Sequence, residues 1–146
     1  MSERHESTFS LHYRVERRIA APPAAVWSKL TEAATYATWN STIDSLEGEI
    51  EVGRRLRLTV PIAPGRTFTP RVVELEPNQR MVWQDGFYPM FQGRRTFSLR
   101  GEGDATSFEM AEHFRGIMLP MIKGSLPDFG PAFDQFADDL ARACES

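Results

Sequence analysis

PMIKGSLPDFGPAFDQFADDLARACES, residues 120–146, is the stretch on which the architecture turns. Within it Phe129, Phe133, Phe136 and Leu140 follow at steps of four, three and four, with Ala137, Ala141 and Cys144 beside them. That spacing draws one apolar face of a helix. Asp134, Asp138, Asp139, Arg142 and Glu145 fall on the opposite face, which can stay in water. A helix with an aromatic stripe needs a large concave partner, and the preceding chain has to supply it. Pro127, Gly130 and Pro131 stand where the helix begins. Because an internal proline removes a bond and kinks the turn, the continuous helix is expected over 131–143. Residues 118–125 are then a separate short helix or loop.

Working outward, Phe9, Leu11, Tyr13, Val15 and Ile19 alternate with polar residues, the period of a strand with one buried face. Residues 1–8 are polar and are expected to fray. Pro23 to Leu30 reads as a short helix with proline in its first turn, and a second short helix over 33–38 delivers Trp39. From there the expected strands are 44–49, 55–60, 69–76, 80–85, 94–100 and 106–115. Glycine, proline and asparagine fill the connections. These links are too short for parallel crossovers, so the sheet is antiparallel.

Composition bounds the function. The chain has 146 residues, 41% hydrophobic and 25% charged, with 10 Phe and 3 Trp, which fits a single domain over 1–146 with a real core. A net charge of −3 without a Lys/Arg block gives no electrostatic reason to expect nucleic acid or an anionic membrane. No apolar run suggests membrane insertion or a secretory leader, so a cytoplasmic location is expected. Cys144, the only cysteine, can form no internal disulfide.

The order β-α-α-β6-α carries a family pattern. Ile19-Ala20-Ala21-Pro22 precedes Val26-Trp27 and Leu30. Tyr36 leads to Trp39-Asn40, and Val73-Glu74-Leu75-Glu76-Pro77 leads to Val82-Trp83. Thr106, Phe108, Glu112, Phe114 and Gly116 close the series. In these motifs and their order the chain resembles the START/Bet v 1-like superfamily, and within it the bacterial polyketide cyclase/dehydrase branch. The resemblance implies an α+β helix-grip fold: a curved seven-stranded antiparallel sheet around a long C-terminal helix, two short helices after strand one, and a cavity between sheet and helix. Members bind lipids, sterols, polyketides and hormones, and a minority catalyse, so fold alone does not supply the chemistry.

The cavity wall follows from strand register, because the apolar sets must share one face. The expected inward sets give an apolar row of Leu75, Met81, Leu99 and Phe108, then a row of Val73, Trp83, Phe97 and Met110. A charged row of Arg71, Asp85, Arg95 and Glu112 follows, its signs alternating. Arg71 is expected opposite Asp85, Asp85 beside Arg95, Val73 opposite Trp83, Trp83 beside Phe97, and Arg95 opposite Glu112. Two readings of the charged row stay open: an ion-pair ladder at a wet rim, or the polar end of a ligand pocket. Trp39 is either core or a gate, closing the pocket with the loop that carries Phe87. Phe129 and Phe133 on the helix complete the expected ligand-binding set.

His5 falls in the polar tail, His12 on the polar face of strand one, and His113 away from the expected cavity. The histidines offer no spacing suited to a metal, and no phosphate loop or nucleophile elbow is present. No cofactor is therefore expected. The first function expected is binding of a small hydrophobic molecule by a monomer or homodimer. The alternative is a cofactor-free cyclase or dehydratase on a polyketide-like substrate. There Glu112, its pKa raised by apolar surroundings, moves a proton while Arg95 or Arg71 stabilises an enolate. A protein-interaction module is the third reading.

Overall fold

The computed structural model describes residues 2–145. Eight strands are present: β1 (Glu3–Ser7), β2 (Ser10–Ile19), β3 (Ser45–Glu47), β4 (Arg57–Thr59), β5 (Arg71–Glu76), β6 (Arg80–Phe87), β7 (Phe91–Glu102) and β8 (Ala105–Arg115). The helices are α1 (Pro23–Thr31), α2 (Tyr36–Trp39), α3 (Leu119–Ile122) and α4 (Gly130–Glu145), with single 3-10 turns at Ala33–Thr35 and Lys123–Ser125.

The main sheet is antiparallel and has six strands, in the order β1-β2-β8-β7-β6-β5. The expectation of seven fails at both margins. On one side, the tail expected to fray forms β1, paired with β2 from Glu3↔Arg14 to Ser7↔Ser10. Its five side chains are all exposed, so no alternating burial marked it in sequence; backbone pairing and the Arg14–Glu3 contact at 3.1 Å hold it instead. On the other side, β3 and β4 pair with each other and form a separate two-stranded sheet. Prolines interrupt the chain between β4 and β5, and a proline has no N–H to extend a ladder. The isolated bridges Arg55↔Arg71 and Leu58↔Phe68, with backbone hydrogen bonds joining Gly53 and Arg54 to Val72 and Leu56 to Pro70, stitch this pair to the β5 margin.

Helix α4 lies across the inner face of the sheet, with Phe133, Phe136, Ala137, Leu140 and Ala141 buried. Phe136 stacks on Phe108 of β8 with ring centres 6.2 Å apart, and meets Tyr36, Trp39 and Phe97 within 6.4 Å. Full burial of each such phenyl is worth ~1.5–3 kcal/mol. Pro131 occupies the first turn, where its missing N–H costs no helical bond, and the Asp128 carboxylate accepts from the Gly130 N–H at 3.0 Å. At the opposite corner the Thr106 hydroxyl donates to the Ala21 carbonyl at 2.7 Å, tying the approach to α1 onto β8. From this corner β7 runs to the β6–β7 hairpin at the opposite end of the sheet.

At that hairpin the backbone passes unusually close to itself. Gly116 has φ 140°, and a Cβ there would lie 2.3 Å from the Met90 carbonyl oxygen. Only glycine fits. The contact sets the path of the following segment, whose Ile117 and Met118 N–H groups donate to the Pro89 and Met90 carbonyls at 2.9 and 3.0 Å.

Candidate ligand-binding site

A single cross-strand row spans the inner face of the main sheet: Arg4, Tyr13, Glu112, Arg95, Trp83 and Val72, one residue from each strand between β1 and β5. Its centre is the pair Arg95–Glu112. Arg95 Nε donates to Glu112 Oε1 at 2.9 Å, and the two side chains are 14% and 11% exposed. Arg95 also sits 5.1 Å above the Phe133 ring. Arg95 is thus held by the neighbouring strand and by α4 at once.

Burial is the main influence on Glu112, pushing its carboxyl above the usual range; the Arg95 charge and hydrogen bond oppose this, and Asp85 adds to it. Tyr36, fully buried behind the row, is likewise pushed up by burial against the pull of Arg95. Its hydroxyl donates to the Leu30 carbonyl. A neutral carboxyl beside a guanidinium in an apolar wall can donate a hydrogen bond or a proton, while the guanidinium can steady negative charge.

Beside this pair lies a cavity of about 300 Å³. The sheet contributes Trp83, Gly93, Arg95, Glu112 and Phe114 to its wall. The β4 side contributes Leu58, Val60, Phe68 and Pro70, with Arg66 among them. Ile122, Leu126 and Phe129 close it from the segment ahead of α4, and Asp85, Gly86 and Phe91 border it at the hairpin end.

Of the residues expected to bind ligand, Trp83, Asp85, Arg95, Glu112 and Phe129 do line this cavity. Phe97 and Met110 are buried in the core beneath α4, and Phe133 is buried on α4 itself. Trp39 is half-buried, its ring 5.0 Å from Tyr36 and 5.9 Å from Phe136, and lies outside the cavity wall. Phe87 projects into solvent at 68% exposure. Arg71 and Val73 are displaced for a specific reason: the ladder between β5 and β6 shifts between Val72 and Glu74. The extra residue places Val72 opposite Trp83 and leaves Arg71 opposite Gln84 on the exposed side.

The β6–β7 register also differs from expectation. Asp85 pairs with Gly93, Trp83 with Arg95 and Met81 with Phe97. The hairpin continues to Phe87↔Phe91 with only 88–90 in its turn, a slip of two positions that keeps the same residues facing inward. Asp85 therefore leaves the Arg95 pair, accepting instead from the Gly86 N–H at 2.9 Å and lying 3.7 Å from Arg55. The β7–β8 register is as expected, with Arg95 opposite Glu112, Phe97 opposite Met110 and Leu99 opposite Phe108.

The wall contributed by residues 58–70 escaped sequence reasoning. Those residues sit on a three-residue strand and on irregular chain, where no period exists to read. Leu58, Val60 and Phe68 flanking a proline-rich loop were the one available signal. The histidines are side by side, His5↔His12 and His12↔His113, on the face opposite the cavity row. No group of three or more metal-ligating side chains is assembled among the described residues. Nor is any helix among them long and apolar enough to cross a membrane.

Comparison with known proteins places this geometry in a family. Residues 10–145 match the family described as polyketide cyclase / dehydrase and lipid transport. The chain belongs to that family, whose membership supports a ligand-binding or cyclase role. Among solved structures, it is similar to a Streptomyces aromatase/cyclase at TM-score 0.72 and 17% identity, covering 93% of this chain and 94% of that one. It is similar to a START superfamily protein from Mycobacterium smegmatis at TM-score 0.68 and 19% identity, covering 92% and 97%. Norcoclaurine synthase from Thalictrum flavum, solved with a transition-state analogue, aligns at TM-score 0.70 and 17% identity over 96% and 97%. No curated protein matches the sequence.

Proposed function

We propose that this protein binds a small hydrophobic molecule, polyketide-, lipid- or aromatic-like, in the cavity between the sheet and the segment leading into α4. The observation that carries the reading is an apolar wall of Phe68, Trp83, Phe91, Phe114 and Phe129 around one buried charged pair, Arg95–Glu112. That is the composition of a site that holds an apolar body and orients it through a few polar groups. A volume of about 300 Å³ is at the lower end of such pockets and suits a compact ligand. Native mass spectrometry of the gently purified protein tests it. A retained molecule of that class is the expected result, and a clean apo mass with no uptake of an apolar dye refutes the reading.

The catalytic reading has its own support in the raised pKa of Glu112 beside Arg95. Here Glu112 moves a proton at a carbon next to a carbonyl while Arg95 steadies the enolate oxygen, as a cyclisation or dehydration requires. Arg71, at the exposed margin, takes no part. Glu112→Gln is expected to abolish turnover of a bound polyketide-like substrate and to keep most of its affinity. An unchanged rate removes Glu112 from the mechanism.

A further inference from the structure

The two oxygens of Glu112 are not equivalent. Oε1 accepts from Arg95 at 2.9 Å. Oε2 has no hydrogen-bond partner among the described residues, yet it is not one of the sealed, unpartnered polar atoms, so it retains access to open space in the cavity wall. Diagonally from it on β7, opposite Phe114 and two residues before Arg95, stands Gly93, also in the wall. A Cβ at Gly93 would meet the Phe114 ring at 3.3 Å and Glu112 Oε2 at 3.7 Å. Gly93 has no positive φ to require glycine. The absent side chain therefore serves space and not backbone conformation, and the space it leaves adjoins the carboxyl oxygen of the pair that Arg95 does not hold.

We infer that Gly93 and Glu112 Oε2 form a notch that admits a neutral hydrogen-bond acceptor of the ligand, a ketone or ester carbonyl, and that Gly93 is the specificity-determining residue of the site. The inference rests on the binding function proposed above and narrows its ligand class. When Glu112 is neutral, Oε1 accepts from Arg95 and the proton falls on Oε2, where it can be donated. Burial keeps that neutral form populated to higher pH than in a free glutamate. An anionic ligand group would meet Asp85 in the same wall as well as Glu112, whereas Arg66 and Arg95 would attract it. A matched carboxylate is therefore part of the test.

The experiment is calorimetric titration of the full chain at pH 6 with three probes that share one two-ring body: 2-acetylnaphthalene, 2-ethylnaphthalene and 2-naphthoate. The expected order places the ketone ~5–10-fold tighter than the alkyl compound, the value of one net hydrogen bond, and tighter than the carboxylate. Gly93→Ala is expected to bring ketone and alkyl affinities within twofold of each other. Should that variant fail to fold, the carbonyl ¹³C shift of labelled 2-acetylnaphthalene in the wild-type protein decides the point: a downfield move on binding supports the donor at Oε2, and a shift equal to that in an apolar solvent overturns it. Equal affinity for ketone and alkyl probes, or tightest binding of the carboxylate, overturns the notch and leaves the binding function standing. Absence of heat from all three probes overturns both.

Discussion

Ser41 donates both its backbone N–H and its hydroxyl to Asp139 Oδ2, each at 2.7 Å. Asp139 belongs to α4 and Ser41 to the loop after α2, so one carboxylate, 4% exposed, ties the terminal helix to the helical segment that follows β2. Gln135 donates to Oδ1 at 2.8 Å, and Arg142 completes the set at 3.4 Å from the same oxygen. Asp139→Ala leaves these donors without their acceptor and is expected to cost ~2–4 kcal/mol, measured by urea denaturation at neutral pH.

The same residue makes a prediction about acid. Burial pushes the Asp139 carboxyl up, but the Ser41 and Gln135 hydrogen bonds more than offset this and hold it below its usual range. The stability it contributes is complete above the unfolded value of ~3.9 and is lost as pH falls through the folded one. Wild-type urea midpoints should therefore drop more steeply below pH 4 than those of Asp139→Asn.

Glu112 has the opposite sign. Its folded pKa is raised, so its neutral form is most favourable below the unfolded value of ~4.3, and that contribution is lost as pH rises through the folded value. Comparing wild type with Glu112→Gln at pH 4 and pH 7, the balance should move toward the glutamine variant at pH 7. A difference independent of pH would mean that Glu112 titrates normally.

Segment 118–129 is held to the hairpin at its start, through Met118 to Met90, and over the cavity by Ile122, Leu126 and Phe129. It contains only one turn of α-helix and one of 3-10 helix. Its amides should exchange with deuterium faster than those of β2 and β8, and a tight apolar probe should slow them. Protection equal to β2 in the free protein would exclude a movable cover.

Phe87 and Met121 are 68% and 80% exposed near the same end. Phe87→Ser and Met121→Ser should each change stability by less than ~0.5 kcal/mol. Sedimentation of both variants beside wild type reads whether this apolar end joins two copies of the chain.

What sequence revealed and what it concealed divide along periodicity. The stripe Phe129–Phe133–Phe136–Leu140 announced α4, and alternation announced β2, β7 and β8; with a four-residue loop over Glu102 to Ala105, these placed Arg95 against Glu112 before any coordinates. β1 was invisible because a strand with no buried side chain has no alternation to read. The shift beside Val73 was invisible because an added residue in a ladder leaves no compositional trace, and it moved Arg71 out of the site. The cavity's far wall, Leu58 to Pro70, comes from chain whose placement depends on two isolated bridges and a few loop bonds. The role of Gly93 depended on what its missing side chain would touch, which no pattern along the chain encodes.

The polar strand β1 bears on how the protein behaves in a crowded solution. With β1 in place, the first half of β2, Ser10 to Arg14, is paired on both sides, and the outermost strand presents charge at Glu3, Arg4 and Glu6. At the other margin Arg54, Leu56 and Leu58 engage the backbone of residues 68–72. Remove the first eight residues, and the first half of β2, Ser10 to Arg14, with Leu11 and Tyr13 beneath it, becomes an open template for neighbouring chains. The least hydrophobic strand of the fold is thus its safeguard against polymerisation, and a shortened chain would be lost to aggregation before its binding site failed.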